Sequence, residues 1–174
     1  SGMRNGQKFG NQTLVDSMVT DGLTDAYQHY HMGITAENVA EKLSISREEQ
    51  DAFALRSQQR ASAADRADKF VDEISPVIIP QRKGEPITVN RDEYIRHDAD
   101  AASIAKLAPA FKKDGSVTAA NASGINDGAA AVLMMSEDKA RELGLTPLAS
   151  VKSYAAAGIA PEIMGLGPVP ASQK

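Results

Sequence analysis

Two segments of strand length, residues 129–135 (Ala-Ala-Ala-Val-Leu-Met-Met) and 148–154 (Leu-Ala-Ser-Val-Lys-Ser-Tyr), most constrain what this chain can fold into. The first is continuously apolar and fits a strand buried on both faces of a sheet. Between them, residues 137–143 read as a short helix that follows Ser136 and stops at Gly144. This is an α/β pattern, yet two strands cannot bury both faces of a parallel sheet. The remaining strands are therefore expected from sequence outside the chain. The glycine-rich opening and the tail at residues 170–174, with no closing element, read as interior sequence in the same sense.

Up to about residue 123 the chain is helical and rich in loops. Ser46 followed by Glu49 is a capping box, in which each side chain satisfies the other residue's backbone N–H. It predicts a helix to about Ala67, with Ala52, Phe53, Ala61 and Ala64 tending to one face. Thr35 is positioned to cap a shorter helix over residues 36–43. Residues 71–80 are rich in β-branched side chains, but Pro76 and Pro80 confine them to an edge strand; residues 86–89 offer a second. Residues 92–110 read as an excursion over a surface, anchored by Tyr94, Ile95, Ile104 and Leu107. The small side chains of residues 117–124 leave backbone that a ligand or another segment can approach closely. Residues 165–168 form a Gly-Leu-Gly-Pro turn.

Several functions are excluded or disfavoured. With four Phe, four Tyr and no Trp, any core is built mainly from Ala, Ile, Leu, Val and Met. The net charge of −4 argues against a nucleic-acid partner. The chain has no cysteine, which removes disulfides, Cys metal sites and Cys nucleophiles from these 174 residues. The three histidines (29, 31 and 97) stand in no carboxylate cluster of ligand spacing, so no metal is expected. No run approaches 18 apolar residues and no signal-peptide pattern opens the chain. A cytoplasmic location without membrane partners is the expectation.

Three constellations stand out, each with a plainer reading. His31, in Tyr30-His31-Met32-Gly33, is a general base or ligand by type, but reads more readily as a structural or ligand-contacting residue. Arg96 with Ser103 suits phosphate or a planar ring, because a guanidinium offers a flat fork of donors; a solvated surface arginine is the plainer alternative. Residues 121–128 (Asn-Ala-Ser-Gly-Ile-Asn-Asp-Gly) suit a narrow ligand arm, or simply a tight turn. Neither a P-loop nor a nucleophile elbow is present. These residues alone describe an α/β piece with a ligand-facing loop.

Taken together, six segments are more specific. They are residues 21–25 (Asp-Gly-Leu-Thr-Asp), 30–40, 46–54, 92–97 (Asp-Glu-Tyr-Ile-Arg-His), 118–130 and 164–170 (Met-Gly-Leu-Gly-Pro-Val-Pro). In order and spacing they resemble the thiolase family over nearly the whole chain. The resemblance implies a fold of two similar α/β halves with an inserted loop domain that binds coenzyme A (CoA). It would divide the chain into a loop domain (1–123), the end of the N-terminal half (124–146) and the start of the C-terminal half (147–174). The implied reaction is reversible Claisen condensation of two acetyl-CoA to acetoacetyl-CoA and CoA, with CoA as substrate and no separate cofactor.

Carried over by position, Leu23, His31 and Met32 resemble contacts to the pantetheine arm and pocket wall. Arg96 resembles the residue at the adenine and phosphate end. Ser103, Ala119, Ala122 and Ser123 resemble the lining of the pantetheine channel, and Met164 a wall of the acyl pocket. The family also needs a nucleophilic Cys, a His in Gly-His-Pro, an Asn in Asn-Glu-Ala-Phe and a second Cys. None of these occurs here, so no residue is assigned as catalytic and the chain alone is expected to be inactive. In the intact enzyme the resemblance implies a homo-oligomer, dimer or tetramer. Two other readings are a stand-alone acyl-CoA-binding or assembly module, and a relative acting on longer or branched acyl chains.

Overall fold

A computed structural model describes residues 6, 9–11 and 13–174. The glycine-rich opening at residues 1–5 lies outside the described residues. Among the described residues five α-helices and one two-stranded sheet follow in order: α1 (Met32–Leu43), α2 (Arg47–Arg66), β1 (Val77–Ile79), β2 (Ile87–Val89), α3 (Ala101–Ala105), α4 (Glu137–Glu142) and α5 (Pro168–Gln173). A π-helical turn at Met18–Gly22 precedes α1, and a 3-10 turn at Pro161–Leu166 precedes α5.

Capping decides the two long helices. The capping box of α2 is present: Ser46 Oγ accepts from the Glu49 N–H, and Glu49 accepts from the Ser46 N–H at 2.8 Å. The shorter helix begins earlier than Thr35 would place it. His31 is its N-cap, with Nδ1 accepting the Gly33 N–H at 2.9 Å. Thr35 lies inside α1, buried, and its hydroxyl donates to the Met32 carbonyl. An imidazole nitrogen thus takes the capping role usually given to a hydroxyl or carboxylate.

Helix α2 turns a polar stripe toward the rest of the chain where an apolar one is usual, with Ser62 its buried member. Arg47, Asp51, Gln58, Ser62 and Arg66 recur at helical spacing, and each bonds another segment or its neighbour on the stripe. Arg47 pairs with Asp51 at 2.6 Å and donates to the carbonyls of Ile104 and Leu107. Asp51 accepts from the Asn121 amide at 2.9 Å. Gln58 and Arg66 bind the backbone of residues 96 and 97. The predicted surface excursion is therefore fastened to α2, and it contains a helix, α3, capped by Asp100. Phe53, expected to share a face with Ala52, Ala61 and Ala64, is 66% exposed.

The strands correct the sequence reading. β1 and β2 pair antiparallel, Val77 opposite Val89, with both faces exposed; residues 71–76 are not strand. Residues 129–135 and 148–154 form no strand at all. Val132, Leu133 and Met134 are 82, 83 and 74% exposed, and Leu148 and Tyr154 are fully open. A strand needs a neighbour for its N–H and C=O groups, and no described residue supplies one. The tail expected to lack a closing element instead forms α5.

The exposed area measures the same deficit. A compact 18.4 kDa monomer leaves about 8,200 Å² accessible, whereas this chain leaves 14664 Å². Among the described residues the buried apolar ones are Ala40, Ile104, Val117 and Ala140, and buried polar residues join them. No helix among the described residues is long and apolar enough to cross a membrane.

Candidate functional site

A short bridge assembles the first three candidates. Asp25, buried, folds residues 25–28 into a turn by accepting the N–H groups of Tyr27 and Gln28. That turn pairs Thr24 with His31, and the Met32 N–H donates to the Leu23 carbonyl at 2.8 Å. Leu23, His31 and Met32 are thereby held side by side, all half-buried. The His31 ring stacks on Phe111 with 4.6 Å between centroids. Its Nδ1 accepts, so a neutral ring carries its proton on Nε2. Gly33 lies directly beneath the same Phe111 ring, where a methyl group would overlap it.

Glu37 assembles the second group. Its carboxylate is buried on α1 and accepts three donors: the N–H of Val117 at 2.8 Å, the N–H of Ser116 at 2.9 Å, and the Ser116 hydroxyl. Burial pushes the Glu37 carboxyl up. Those bonds, with the Lys112 charge, outweigh it and hold the group below its ordinary value. Asn121 continues the clamp, accepting from the Thr118 N–H and donating to Asp51 and to the Ser116 carbonyl. At the far end Gly124 lies against the Tyr94 ring. The loop carrying Ala119, Ala122 and Ser123 is thus fixed to α1, to α2 and to Tyr94. Ala119 and Ser123 stay exposed.

The remaining candidates sit apart. Ser103 lies on α3, where the Asp100 carboxylate accepts its N–H and the Asp100 carbonyl accepts its hydroxyl. The Ser103 N–H is the main reason that Asp100 is held below its ordinary value. Arg96 is exposed; its N–H donates to Gln58 at 2.8 Å, and its guanidinium forms no ion pair among the described residues. Met164, 50% exposed, rides on the 3-10 turn that packs on α1, where Asn38 donates to the Glu162 carbonyl. No hydrogen bond among the described residues joins Arg96, Ser103 or Met164 to the bridge at residues 23–32. A hollow of about 430 Å³ between α1 and residues 112–116 contains none of the nine candidates.

Sequence reasoning missed the residues that hold this arrangement. Glu37 was legible, as a carboxylate at helical spacing with Gly33 and Ala40 on the inward face of α1. The bond between Asp51 and Asn121 was not, because the two lie 70 residues apart in sequence. Among the described residues no group of three or more His, Asp or Glu stands together as a metal site.

Comparison with known proteins gives the arrangement a context. Residues 1–138 match the family model described as "Thiolase, N-terminal domain". An acetyl-CoA acetyltransferase of Chromobacterium violaceum is 67% identical over 173 residues, which is 99% of this chain and 44% of that protein. A probable acetyl-CoA acyltransferase of Staphylococcus epidermidis is 61% identical over 98% of this chain and 43% of its own length. Among solved structures, the Bacillus anthracis acetyl-CoA acetyltransferase superposes with a TM-score of 0.87 at 47% identity, over 98% of this chain and 43% of that one. The chain spans less than half the length of these relatives, and its fold is the partial α/β fold of that portion. The family match over residues 1–138 and the identity along nearly its whole length establish that this chain belongs to the thiolase family.

Proposed function

We propose that this chain is the CoA-binding central portion of an acetyl-CoA C-acetyltransferase and is inactive alone. One observation carries the reading: a loop of small side chains, residues 116–124, is clamped by Glu37, Asp51 and Tyr94 with Ala119 and Ser123 left open. A rigid wall of small residues suits a narrow pantetheine arm, because little ordering remains to be done on binding. In this reading residues 1–123 are the loop domain, and residues 124–146 and 147–174 belong to the two α/β halves. Leu23, His31, Met32, Ser103, Ala119, Ala122 and Ser123 line the pantetheine path. Arg96 meets the adenine and phosphate end, and Met164 faces the acyl pocket.

The intact enzyme would work in the cytoplasm as a homo-oligomer. A cysteine thiolate takes an acetyl group from one acetyl-CoA and releases CoA. The second acetyl-CoA then loses an α-proton to a base, and its carbanion displaces the cysteine to give acetoacetyl-CoA. These 174 residues contain no cysteine to form that thioester. Their role is to hold the CoA portion while chemistry occurs on groups supplied elsewhere.

Calorimetric titration of the chain with CoA, beside Arg96→Ala, tests the binding role. Saturable binding weakened about tenfold, roughly 1.4 kcal/mol, is expected. No binding by a folded chain, or equal binding by the variant, would overturn the assignment. Thiolysis of acetoacetyl-CoA that scaled with the amount of purified chain would refute the claim of inactivity.

A further inference from the structure

His97 follows Arg96 and is held on three sides by α2. Its Nδ1 lies 2.9 Å from the hydroxyl of Ser62, which is only 6% exposed. Its Nε2 faces the Asp65 carboxylate at 3.4 Å. Its carbonyl accepts from Arg66, and one residue earlier the Arg96 N–H donates to Gln58. A carboxylate only accepts and Asp65 lies on the Nε2 side, so the neutral ring carries its proton on Nε2 and Nδ1 accepts the Ser62 O–H. Ser, His and Asp meet here without the makings of a hydrolytic triad. The hydroxyl is buried in a helix, and the carboxylate shares a helix face with it three residues on. The arrangement instead fastens one backbone position.

We infer that His97 is the positioning residue for Arg96: its side chain, locked between Ser62 and Asp65, fixes the backbone from which the Arg96 guanidinium reaches the phosphate and adenine end of CoA. The inference rests on the proposed CoA role of Arg96 and adds how that role is prepared. Arg96 is exposed and its guanidinium has no ion-pair partner among the described residues, so the point held by hydrogen bonds is its backbone N–H. A side chain with that many rotamers binds better when its base is already fixed. The partners of the staple (Gln58, Ser62, Asp65 and Arg66) all lie on α2 and none in the 116–124 loop, so its loss should fall on one end of the ligand.

The test uses the whole 174-residue chain with three probes: CoA, pantetheine and adenosine 3′,5′-bisphosphate. His97→Ala is expected to weaken CoA and the bisphosphate about fivefold while leaving pantetheine unchanged. His97→Gln, which can still donate to Asp65 and accept from Ser62, should recover most of that loss. Amide exchange at Arg96 should quicken in His97→Ala and in Ser62→Ala, a readout that needs no ligand and guards against a misfolded variant. If Arg96→Ala weakens CoA but His97→Ala does not, the positioning role is overturned. The same holds if His97→Ala lowers pantetheine and CoA by one factor, or if exchange at Arg96 is unchanged. If Arg96→Ala itself has no effect, the CoA reading falls, and the ligand role of His97 falls with it.

Discussion

Residues 24–124 and residues 125–160 solve the same problem in opposite ways. In the first stretch the long-range joins are polar and made within the chain: Glu37 to residues 116 and 117, Asn121 to Asp51, Arg47 to the carbonyls of Ile104 and Leu107, and His97 to Ser62. The second is the more strand-like sequence, yet outside α4 it is open. Residues 125–135 make no hydrogen bond to any described residue, and Val132 and Leu133 are more than four-fifths exposed. Apolar content thus does not decide which region is ordered by its own contacts. A buried polar group specifies one partner, whereas an apolar strand is satisfied only by neighbouring strands.

The comparison breaks most readily at Glu37. Glu37→Ala leaves the N–H groups of Ser116 and Val117 without their acceptor, and bonds to a charged group are worth about 1.5–3 kcal/mol each. A loss of roughly 3 kcal/mol in urea unfolding is expected, and a loss below about 1 kcal/mol would show that the clamp is dispensable. The same carboxylate gives a pH signature. Its folded value is depressed, so its contribution is present above the unfolded value and is lost as pH falls through the folded one. Stability should therefore fall in acid, below about pH 4.3, and Glu37→Gln should flatten that part of the profile.

Gly33→Ala comes next. A methyl group there overlaps Phe111, which also stacks on His31. A cost of about 1–3 kcal/mol is expected in thermal unfolding, with a change in the His31 ring proton shifts. Ser46→Ala removes half of the α2 capping box and should cost about 1 kcal/mol, read by loss of helical circular dichroism on heating. The smallest effect belongs to the other region. Leu148→Asn, at a fully exposed position, should move the melting midpoint by no more than about 0.5 kcal/mol equivalent. A larger loss would mean that residues 148–154 are packed.

What could be read from sequence divides along the same line. The capping box at Ser46 and the helix stop at Gly144, where φ is +67°, are local devices, and both are present. The start of α1 was misplaced because a histidine does the capping, which type-based rules rank below Thr35. Residues 129–135 and 148–154 have the length of strands but were read incorrectly as formed, since a strand depends on partners that local pattern cannot supply. Of the nine candidates, the grouping of Leu23, His31 and Met32 follows from proximity in sequence and one turn. The distance-spanning joins that seat Ala119, Ala122, Ser123 and Arg96 had no local signal.

Amide hydrogen exchange across the whole chain, with and without CoA, tests the central claim most directly. The account predicts strong protection at Ser116, Val117 and the interiors of α1 and α2, near-intrinsic exchange at residues 125–135 and 148–160, and added protection with CoA confined to residues 23–32, 96–103 and 119–123. Uniform protection along the chain, or CoA-induced protection that spares those segments, would contradict it.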